Sequence, residues 1–317
     1  MNEYGAALAL GWALLAAIWL VALPRQRTRA LDHAYPLLPL FVIAAFVLFP
    51  DGEAGKLLFL LLVSGLAIWC AVTLVWLVSL ARRDASIMDI AYPWLPVLVC
   101  AAAISLEWTE AGFTSGVAVA IVLLWALRLS LHVAVRNLPL GEDARYARWR
   151  AKSGARWWWR SYFQVFLLQA VIIWFWSWPL VFALAAPAGS PSGWIYAGVA
   201  VFLAGFLLET AADWQLTRFR GDAANRGRVL QSGVWALSRH PNYLGEALVW
   251  WGFFLISLVH PWAWLTLPCP IYVTWFMNSG SATRMTDAHL HKRKPGYAEY
   301  AARTPPFFPS LWRRKPK

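Results

Sequence analysis

Residues 56–80 read KLLFLLLVSGLAIWCAVTLVWLVSL, a stretch whose only charged side chain is Lys56. A helix needs about 20 consecutive apolar residues to cross the hydrocarbon core of a bilayer, so this stretch predicts a membrane-spanning helix. The whole chain of 317 residues has the same character, because 60% of its residues are hydrophobic and 14% are charged. Soluble domains carry about 25% charged residues, so the composition argues against a soluble enzyme, a disordered chain or a secreted disulfide scaffold.

Nine stretches are apolar enough to predict spanning helices. They cover residues 4–23, 34–50, 56–80, 87–106, 113–136, 161–186, 193–216, 243–259 and 261–280. The first stretch has no basic segment before it, so we expect it to be retained rather than removed as a signal peptide. The predicted fold is therefore all-α, a polytopic membrane helix bundle of about nine transmembrane helices.

The cations are distributed unevenly between the loops. The net charge of +12 would point to nucleic acid in a soluble protein. Here 26 of the 28 Lys and Arg residues follow odd-numbered stretches. Because cytoplasmic loops are enriched in Lys and Arg, the alternation predicts an outside N-terminus and a cytoplasmic C-terminus. The expected partners are therefore membrane lipids and not nucleic acid.

Six ionisable side chains remain inside the predicted spans, where each is costly and indicates a functional site or a cavity. They are Asp89, Arg128, His132, Glu209, Asp213 and Glu246. Tyr92 lies three residues after Asp89 on the same helical face. This carboxyl and phenol form a candidate site for a carbonyl oxygen. For the pairs on the fifth and seventh stretches, snorkelling or a structural ion pair remains an alternative.

Residues 213–246 concentrate cations between the seventh and eighth stretches. The polar side chains of this segment include Arg218, Arg220, Asn225, Arg226, Arg228, Arg239, His240, Asn242 and Tyr243. Arginine can bind phosphate through two parallel hydrogen bonds, and a helix that begins at Pro241 offers free N–H groups to an anion. Single arginines here could equally be ordinary loop cations. Asn242 and Glu246, however, lie one turn apart on a helix that enters lipid, which a simple basic loop does not require.

Three motifs resemble one known superfamily. Residues 238–246, SRHPNYLGE, resemble the RHPNYxGE signature of the steroid 5-alpha-reductase-like superfamily, above all its uncharacterised bacterial branch. Residues 295–300, PGYAEY, followed by Thr304-Pro305, and residues 141–146, GEDARY, are similar to other parts of that group. The resemblance implies a seven-helix reductase core in residues 56–317, additional helices in residues 1–55, and a multi-pass protein of the bacterial inner membrane.

The resemblance also implies an activity, the NADPH-dependent reduction of a carbon–carbon double bond in an apolar enone from the bilayer, such as a 3-oxo-4-ene steroid. Asp89, as a protonated acid, and Tyr92 would stabilise the charge that develops on the carbonyl oxygen. Tyr92 would replace a family tyrosine that is not found on the following helix. Glu246 would orient the nicotinamide. The positions expected to bind the cofactor are Asp213, Arg218, Arg220, Arg228, Arg239, His240, Asn242, Tyr243, Glu246, Arg284 and His289.

Other classes of protein remain as alternatives. Isoprenylcysteine and phospholipid methyltransferases share an RHPxY element and bind S-adenosylmethionine, but four arginines within residues 218–228 favour a cofactor that carries phosphates. A di-iron enzyme needs clustered histidines, and the six present are scattered, so no metal is expected. A transporter is disfavoured because the sequence shows no inverted repeat. A monomer is the favoured oligomeric state.

Overall fold

The structure, a computed structural model, describes residues 52–105, 112–187 and 192–309. Every regular element within these ranges is helical. The predicted spans at 4–23 and 34–50 lie outside the described residues. The chain divides into two compact units, the first formed by residues up to 108 with 126–177, and the second by 109–125 with 178–317.

The first unit is built around one long helix and several broken ones. Its elements are α1 (Gly52–Arg82), α2 (Ile87–Ala91), α3 (Leu95–Ser105), the second part of α4 (Phe113–Asn137), α5 (Ala144–Ser153), α6 (Trp157–Ser161), a π-helical segment (Tyr162–Leu167) and α7 (Leu168–Trp176). α1 packs against α3 and the π-helical segment. A 3-10 turn that contains Pro93 joins α2 to α3, since proline has no N–H to continue an α-helix.

The second unit is centred on one buried helix. Its elements are the first part of α4, then α8 (Trp178–Ala185), α9 (Gly193–Gly221), α10 (Pro241–Ser257), α11 (Pro268–Ser279), α12 (Ser281–Arg293) and α13 (Tyr297–Arg303). α10 packs against α8, α9 and α11. Trp250 on α10 is 1% exposed and meets Trp125 edge to face at 5.6 Å between ring centroids. The core of this unit is therefore aromatic.

α9 and α10 cross with their backbones in contact. Each helix has two glycines seven residues apart, Gly198 and Gly205 on α9 and Gly245 and Gly252 on α10. A Cβ atom on Gly205 would lie 2.6 Å from the carbonyl oxygen of Gly245, and one on Gly198 would lie 2.8 Å from that of Gly252. A side chain cannot fit at these distances, so the glycines set how close the helices approach. Gly245, the glycine of the SRHPNYLGE motif, is therefore needed for this close packing of the two helices.

Within the described ranges, five helical segments are long and apolar enough to cross a membrane. They are Gly52–Arg82, Ile87–Ser105, Phe113–Leu140, Ala144–Ala185 and Gly193–Gly221. The chain is thus an all-helical integral membrane protein in the part that the structure describes. The nine-span count, the orientation of the termini and the domain boundary at residue 55 stay predictions.

The ninth predicted span forms a shorter helix than its hydropathy suggests. α11 has 12 residues where the stretch 261–280 has 20, whereas α10 has 17 residues, as many as the predicted stretch 243–259. The apolar stretch 261–280 is interrupted by Pro261, Pro268 and Pro270, and a 3-10 helix at Ala263–Thr266 precedes α11. Hydropathy measures residue type alone, so it does not register where proline stops a helix.

Candidate functional site

In the first unit, Asp89 on α2 accepts a hydrogen bond on each of its oxygens. Arg145 Nη2 donates to Oδ2 at 2.9 Å, and the Tyr146 hydroxyl donates to Oδ1 at 2.6 Å. The Asp89 side chain is 16% exposed, whereas that of Arg145 is 42% exposed. These three residues are called the Asp89 centre below. Asp89 is the largely buried acceptor, and of its two donors Arg145 is partly exposed to solvent.

The GEDARY motif holds the Asp89 centre together. Asp143 caps the N-terminus of α5 by accepting from the Arg145 backbone N–H at 2.8 Å, and it also accepts from Arg145 Nε at 2.9 Å. Burial raises the pKa of Asp143, but its hydrogen bonds with Arg145 outweigh burial and lower the pKa below its ordinary value. The Asp143 N–H donates to Ser86 Oγ, and the Ala85 N–H donates to a Glu142 carboxylate oxygen at 2.9 Å. The motif thus fixes residues 141–146 to the turn before α2.

The phenol that donates to Asp89 belongs to Tyr146, 57 residues further along the chain. Gln169 Nε2 in turn donates to the Tyr146 oxygen at 3.4 Å. Tyr92, the predicted partner, lies half-buried in the 3-10 turn that follows α2. Sequence reasoning assigned no role to Tyr146, although its motif was recognisable. Only the GEDARY motif could have pointed to Tyr146, because helical periodicity does not relate residues as far apart as Asp89 and Tyr146.

In the second unit, Asp287 on α12 accepts from three side chains. His240 Nε2 lies 2.8 Å and the Tyr297 hydroxyl 2.5 Å from Oδ1, and Arg239 Nη1 lies 3.1 Å from Oδ2. Burial raises the pKa of Asp287, but hydrogen bonds from His240 and Tyr297, with the charges of His240 and Arg239, lower it below its ordinary value. Burial and the Asp287 carboxylate raise the pKa of Tyr297, so this phenol remains a donor. These four residues are called the Asp287 centre below.

The C-terminal motif fastens onto the SRHPNYLGE motif. The Tyr300 hydroxyl donates to the Trp235 carbonyl at 2.6 Å, and the Arg239 N–H donates to the Pro305 carbonyl at 3.0 Å. The His240 ring stacks on Tyr243, with 5.3 Å between ring centroids and an interplanar angle of 8°. The two motifs, which are far apart in sequence, therefore form one structure at the start of α10.

Three carboxylates are buried on the helix pair α9–α10. Glu209 is 2% exposed, while Asp213 and Glu246 are each 7% exposed. A Cβ atom on Gly245 would lie 2.6 Å from the Glu209 backbone nitrogen, which shows how closely α10 passes this acidic part of α9. Asn242 is half-buried one turn before Glu246. Carboxylates inside an apolar bundle are costly to bury, so this helix pair is a candidate functional part of the fold.

The loop between α9 and α10 forms a cavity of 720 Å³. Its lining combines the polar residues Asn225, Arg226, Arg228, Gln231 and Ser232 with the apolar residues Phe219, Val229, Leu230 and Pro295. Gly227, between the two arginines, has φ +83°, a conformation that favours glycine. Both arginines are exposed, so their guanidinium groups can reach an anion in this cavity, which we call the loop cavity.

The remaining predicted cations whose side chains are described lie on the surface. Arg218 is exposed, with its guanidinium 5.6 Å from the Trp214 ring centroid. Arg220 and Arg284 are also exposed, and Arg284 Nε donates to the Ser279 carbonyl at 2.6 Å. His289 belongs to α12, but its side chain lies outside what the structure describes.

Sequence reasoning did not select Asp287, the acceptor of the Asp287 centre. It is the only acidic residue of α12, whose sequence is SATRMTDAHLHKR. A lone carboxylate in a basic helix indicates a specific partner, and that signal was available in the sequence. The identity of the partners, Arg239 and His240, was not, because they are 47 or more residues away.

Comparison with known proteins gives a family and one relative. The family described as "Protein of unknown function (DUF1295)" matches residues 75–304. An uncharacterised protein of Schizosaccharomyces pombe is 26% identical over 274 residues, which cover 74% of this chain and 76% of that protein. The family match includes the Asp89 centre, the Asp287 centre and the loop cavity.

Proposed function

The chain belongs to the DUF1295 family, which is steroid 5-alpha-reductase-like, and from that premise we propose that it is a membrane-embedded, NADPH-dependent reductase of an apolar enone. The observation that carries the proposal is the loop cavity, where Arg226 and Arg228 stand beside Asn225 in the basic loop that precedes the signature motif. A steroid-like lipid of the bacterial inner membrane is the proposed class of substrate.

The loop cavity suits the phosphates of a dinucleotide. Its volume of 720 Å³ is within the range of small-molecule sites, roughly 300–1,000 Å³. Arg226 and Arg228 supply guanidinium donors for phosphate oxygens, and Asn225 adds an amide. In this proposal the buried Asp213 and Glu246, with Asn242, orient the nicotinamide end. When bound, NADPH supplies the hydride.

The Asp287 centre has a positioning role in this proposal. Arg239 and His240 are engaged by Asp287, so they hold the start of α10 instead of gripping phosphate directly. Tyr243 stacks on His240, and Asn242 lies between them in sequence. The centre therefore determines where Asn242 presents its amide.

The Asp89 centre supplies the hydrogen-bond donor for the substrate. Reduction of an enone places negative charge on its carbonyl oxygen, and a positioned donor stabilises that charge. We assign this donor to Tyr146, whose single proton is given to Asp89 in the described state and turns to the substrate oxygen during reaction. Before the reaction, Asp89 orients Tyr146 by accepting its hydrogen bond, and Arg145 balances the charge of Asp89.

Cofactor binding by the purified protein in detergent tests the proposal. The chain has 23 Trp residues, so binding of NADPH is measurable by fluorescence quenching, with S-adenosylmethionine as the competing ligand. Replacing both loop-cavity arginines (R226Q/R228Q) should weaken NADPH binding at least tenfold, because each loses a charge-assisted hydrogen bond. Lys292→Gln, an exposed cation of α12 outside the cavity, is the matched control.

The outcome separates the two cofactor classes. Quenching by NADPH that depends on Arg226 and Arg228, with NADPH oxidation on addition of a 3-oxo-4-ene steroid or another apolar enone, supports the reductase. Quenching by S-adenosylmethionine and none by NADPH would replace it with a methyltransferase. Equal losses in R226Q/R228Q and K292Q would show that the loop cavity does not bind the cofactor.

A further inference from the structure

Besides the loop cavity of the second unit, the first unit has a cavity of 640 Å³. The proposed reaction does not use it. It lies where the basic helix α5 turns into α6 and the π-helical segment. Its walls are formed by Trp149, Lys152, Ser153, Trp159, Arg160, Phe163 and Gln164. No residue of this group belongs to the predicted catalytic or cofactor set, so the cavity calls for a separate explanation.

The lining combines two cations with an aromatic wall. Lys152 and Arg160 are exposed, and the Arg160 guanidinium lies 5.7 Å from the Trp159 ring centroid. Trp159 and Phe163 are 40% and 57% exposed. A ligand that fits this lining has an anionic group for the cations and an apolar part for the rings.

The cavity lies at the boundary between charged and apolar helix surface. α5 carries Arg145, Arg148, Arg150 and Lys152, whereas the residues after Ser161 continue as part of the apolar segment Ala144–Ala185. Tryptophan and tyrosine concentrate at the level of lipid headgroups, with Lys and Arg beside them. The two cations and the aromatic rings of the cavity are therefore the combination of residues that is typical of the headgroup level of a membrane.

Hydrogen bonds from α1 anchor the segment that forms one wall of this cavity. Trp76 Nε1 donates to the Trp158 carbonyl at 3.0 Å, and the Thr73 and Tyr162 hydroxyls are 3.1 Å apart. The π-helical turn that begins at Tyr162 is wider than an α-helical turn, and π-helical turns occur often at functional sites. α1 thus fixes the backbone that carries Trp159, Arg160 and Phe163.

We propose that this cavity binds the headgroup of an anionic phospholipid. Lys152 and Arg160 bind the phosphate, Ser153 and Gln164 bind glycerol hydroxyls or ester oxygens, and the acyl chains lie along Trp159 and Phe163. Basic pockets of this kind at helix ends bind anionic lipids in membrane proteins. A soluble phosphate would use the cations but would gain nothing from the rings.

Native mass spectrometry of the full chain in detergent tests this assignment. Phosphatidylglycerol should bind at least tenfold more tightly than phosphatidylcholine, and the double variant K152Q/R160Q should reduce its binding at least tenfold. The matched control is R148Q/R156Q, which removes the same charge from exposed neighbours outside the cavity. Trp159→Leu should lower phosphatidylglycerol binding with all cations retained.

Three results would overturn the proposal. They are equal binding of phosphatidylcholine, an equal loss in the R148Q/R156Q control, and displacement of the lipid by millimolar inorganic phosphate, which would make the ligand a free anion. Thermal unfolding of the same K152Q/R160Q protein in detergent reports folding. If the melting temperature is unchanged while lipid binding is lost, the lipid site is established independently of the reductase proposal.

Discussion

The Asp89 and Asp287 centres are built from the same parts in different ways. Each is a carboxylate that accepts from a tyrosine hydroxyl and an arginine, but His240 adds a third donor at Asp287. Arg145 is 42% exposed, whereas Arg239 is 13% exposed. A buried guanidinium depends on its counter-ion far more than an exposed one does.

This difference indicates different tasks. The Asp287 centre joins two motifs of one unit, and all its donors face inward, so it maintains the fold around the start of α10. The Asp89 centre has one donor per oxygen and an arginine that water can solvate. Its hydrogen bonds can therefore be exchanged for a substrate at lower cost.

The largest expected effect is a loss of stability at the crossing of α9 and α10 in the second unit. Gly245→Val should cost about 4 kcal/mol or more, because the new side chain would overlap the Glu209 backbone on α9. The measurement is thermal unfolding in detergent. Gly116→Val is the control, since its Cβ would have no atom within 4 Å and should change stability by no more than about 0.5 kcal/mol. Similar melting curves for the two variants would contradict the close crossing.

The next effect distinguishes the two phenols. Under the proposed function, Tyr146→Phe should lower kcat about 100-fold with cofactor affinity unchanged, because it removes the donor to the carbonyl oxygen. Tyr297→Phe should instead weaken NADPH binding and leave kcat nearly intact, because it loosens the Asp287 centre. Steady-state kinetics and fluorescence quenching measure both quantities. The exposed Tyr196 on α9, changed to Phe, should alter neither. A kcat defect in Tyr297→Phe as large as that in Tyr146→Phe would reverse the assignment.

A smaller loss of stability is expected when either Asp287 or Asp89 is removed. Asp287→Ala should destabilise the protein by about 2 kcal/mol, since it removes the acceptor for both Arg239 and His240. Asp89→Ala should cost about 1 kcal/mol, because Arg145 is already partly hydrated. Thermal unfolding of both variants, beside Glu299→Ala at an exposed position of α13, measures the difference. If Asp89→Ala lost more stability than Asp287→Ala, the solvent exposure of Arg145 would not be what limits the cost of removing its carboxylate partner.

The smallest effect is a pH dependence of the Asp287 centre. The folded-state pKa of Asp287 lies below the unfolded value of about 3.9. Its contribution to stability is therefore complete above about pH 4 and is lost as the pH falls through the folded-state pKa. Melting temperatures measured from pH 6 downward should fall less steeply below pH 4 in Asp287→Asn than in the parent protein. Parallel curves would show that Asp287 is not held as a carboxylate.

Local features of the fold were predictable because they depend on neighbouring residues. The apolar stretch 56–80 predicted α1. The length of α11 was not predictable from hydropathy, because Pro268 and Pro270 both lie in its first turn and the helix begins there. The packing role of Gly245 was also invisible, since it requires Gly205 on another helix at the same height.

Residue type and short-range spacing were enough to predict a helical membrane protein, with its cations concentrated in a few loops and its motifs typical of one superfamily. These properties need no tertiary contact. The pairing of each carboxylate with its donors, by contrast, depends on how the helices pack. Tyr146 reaches Asp89 across 57 residues and His240 reaches Asp287 across 47, and such pairs form only when helix packing brings distant segments together.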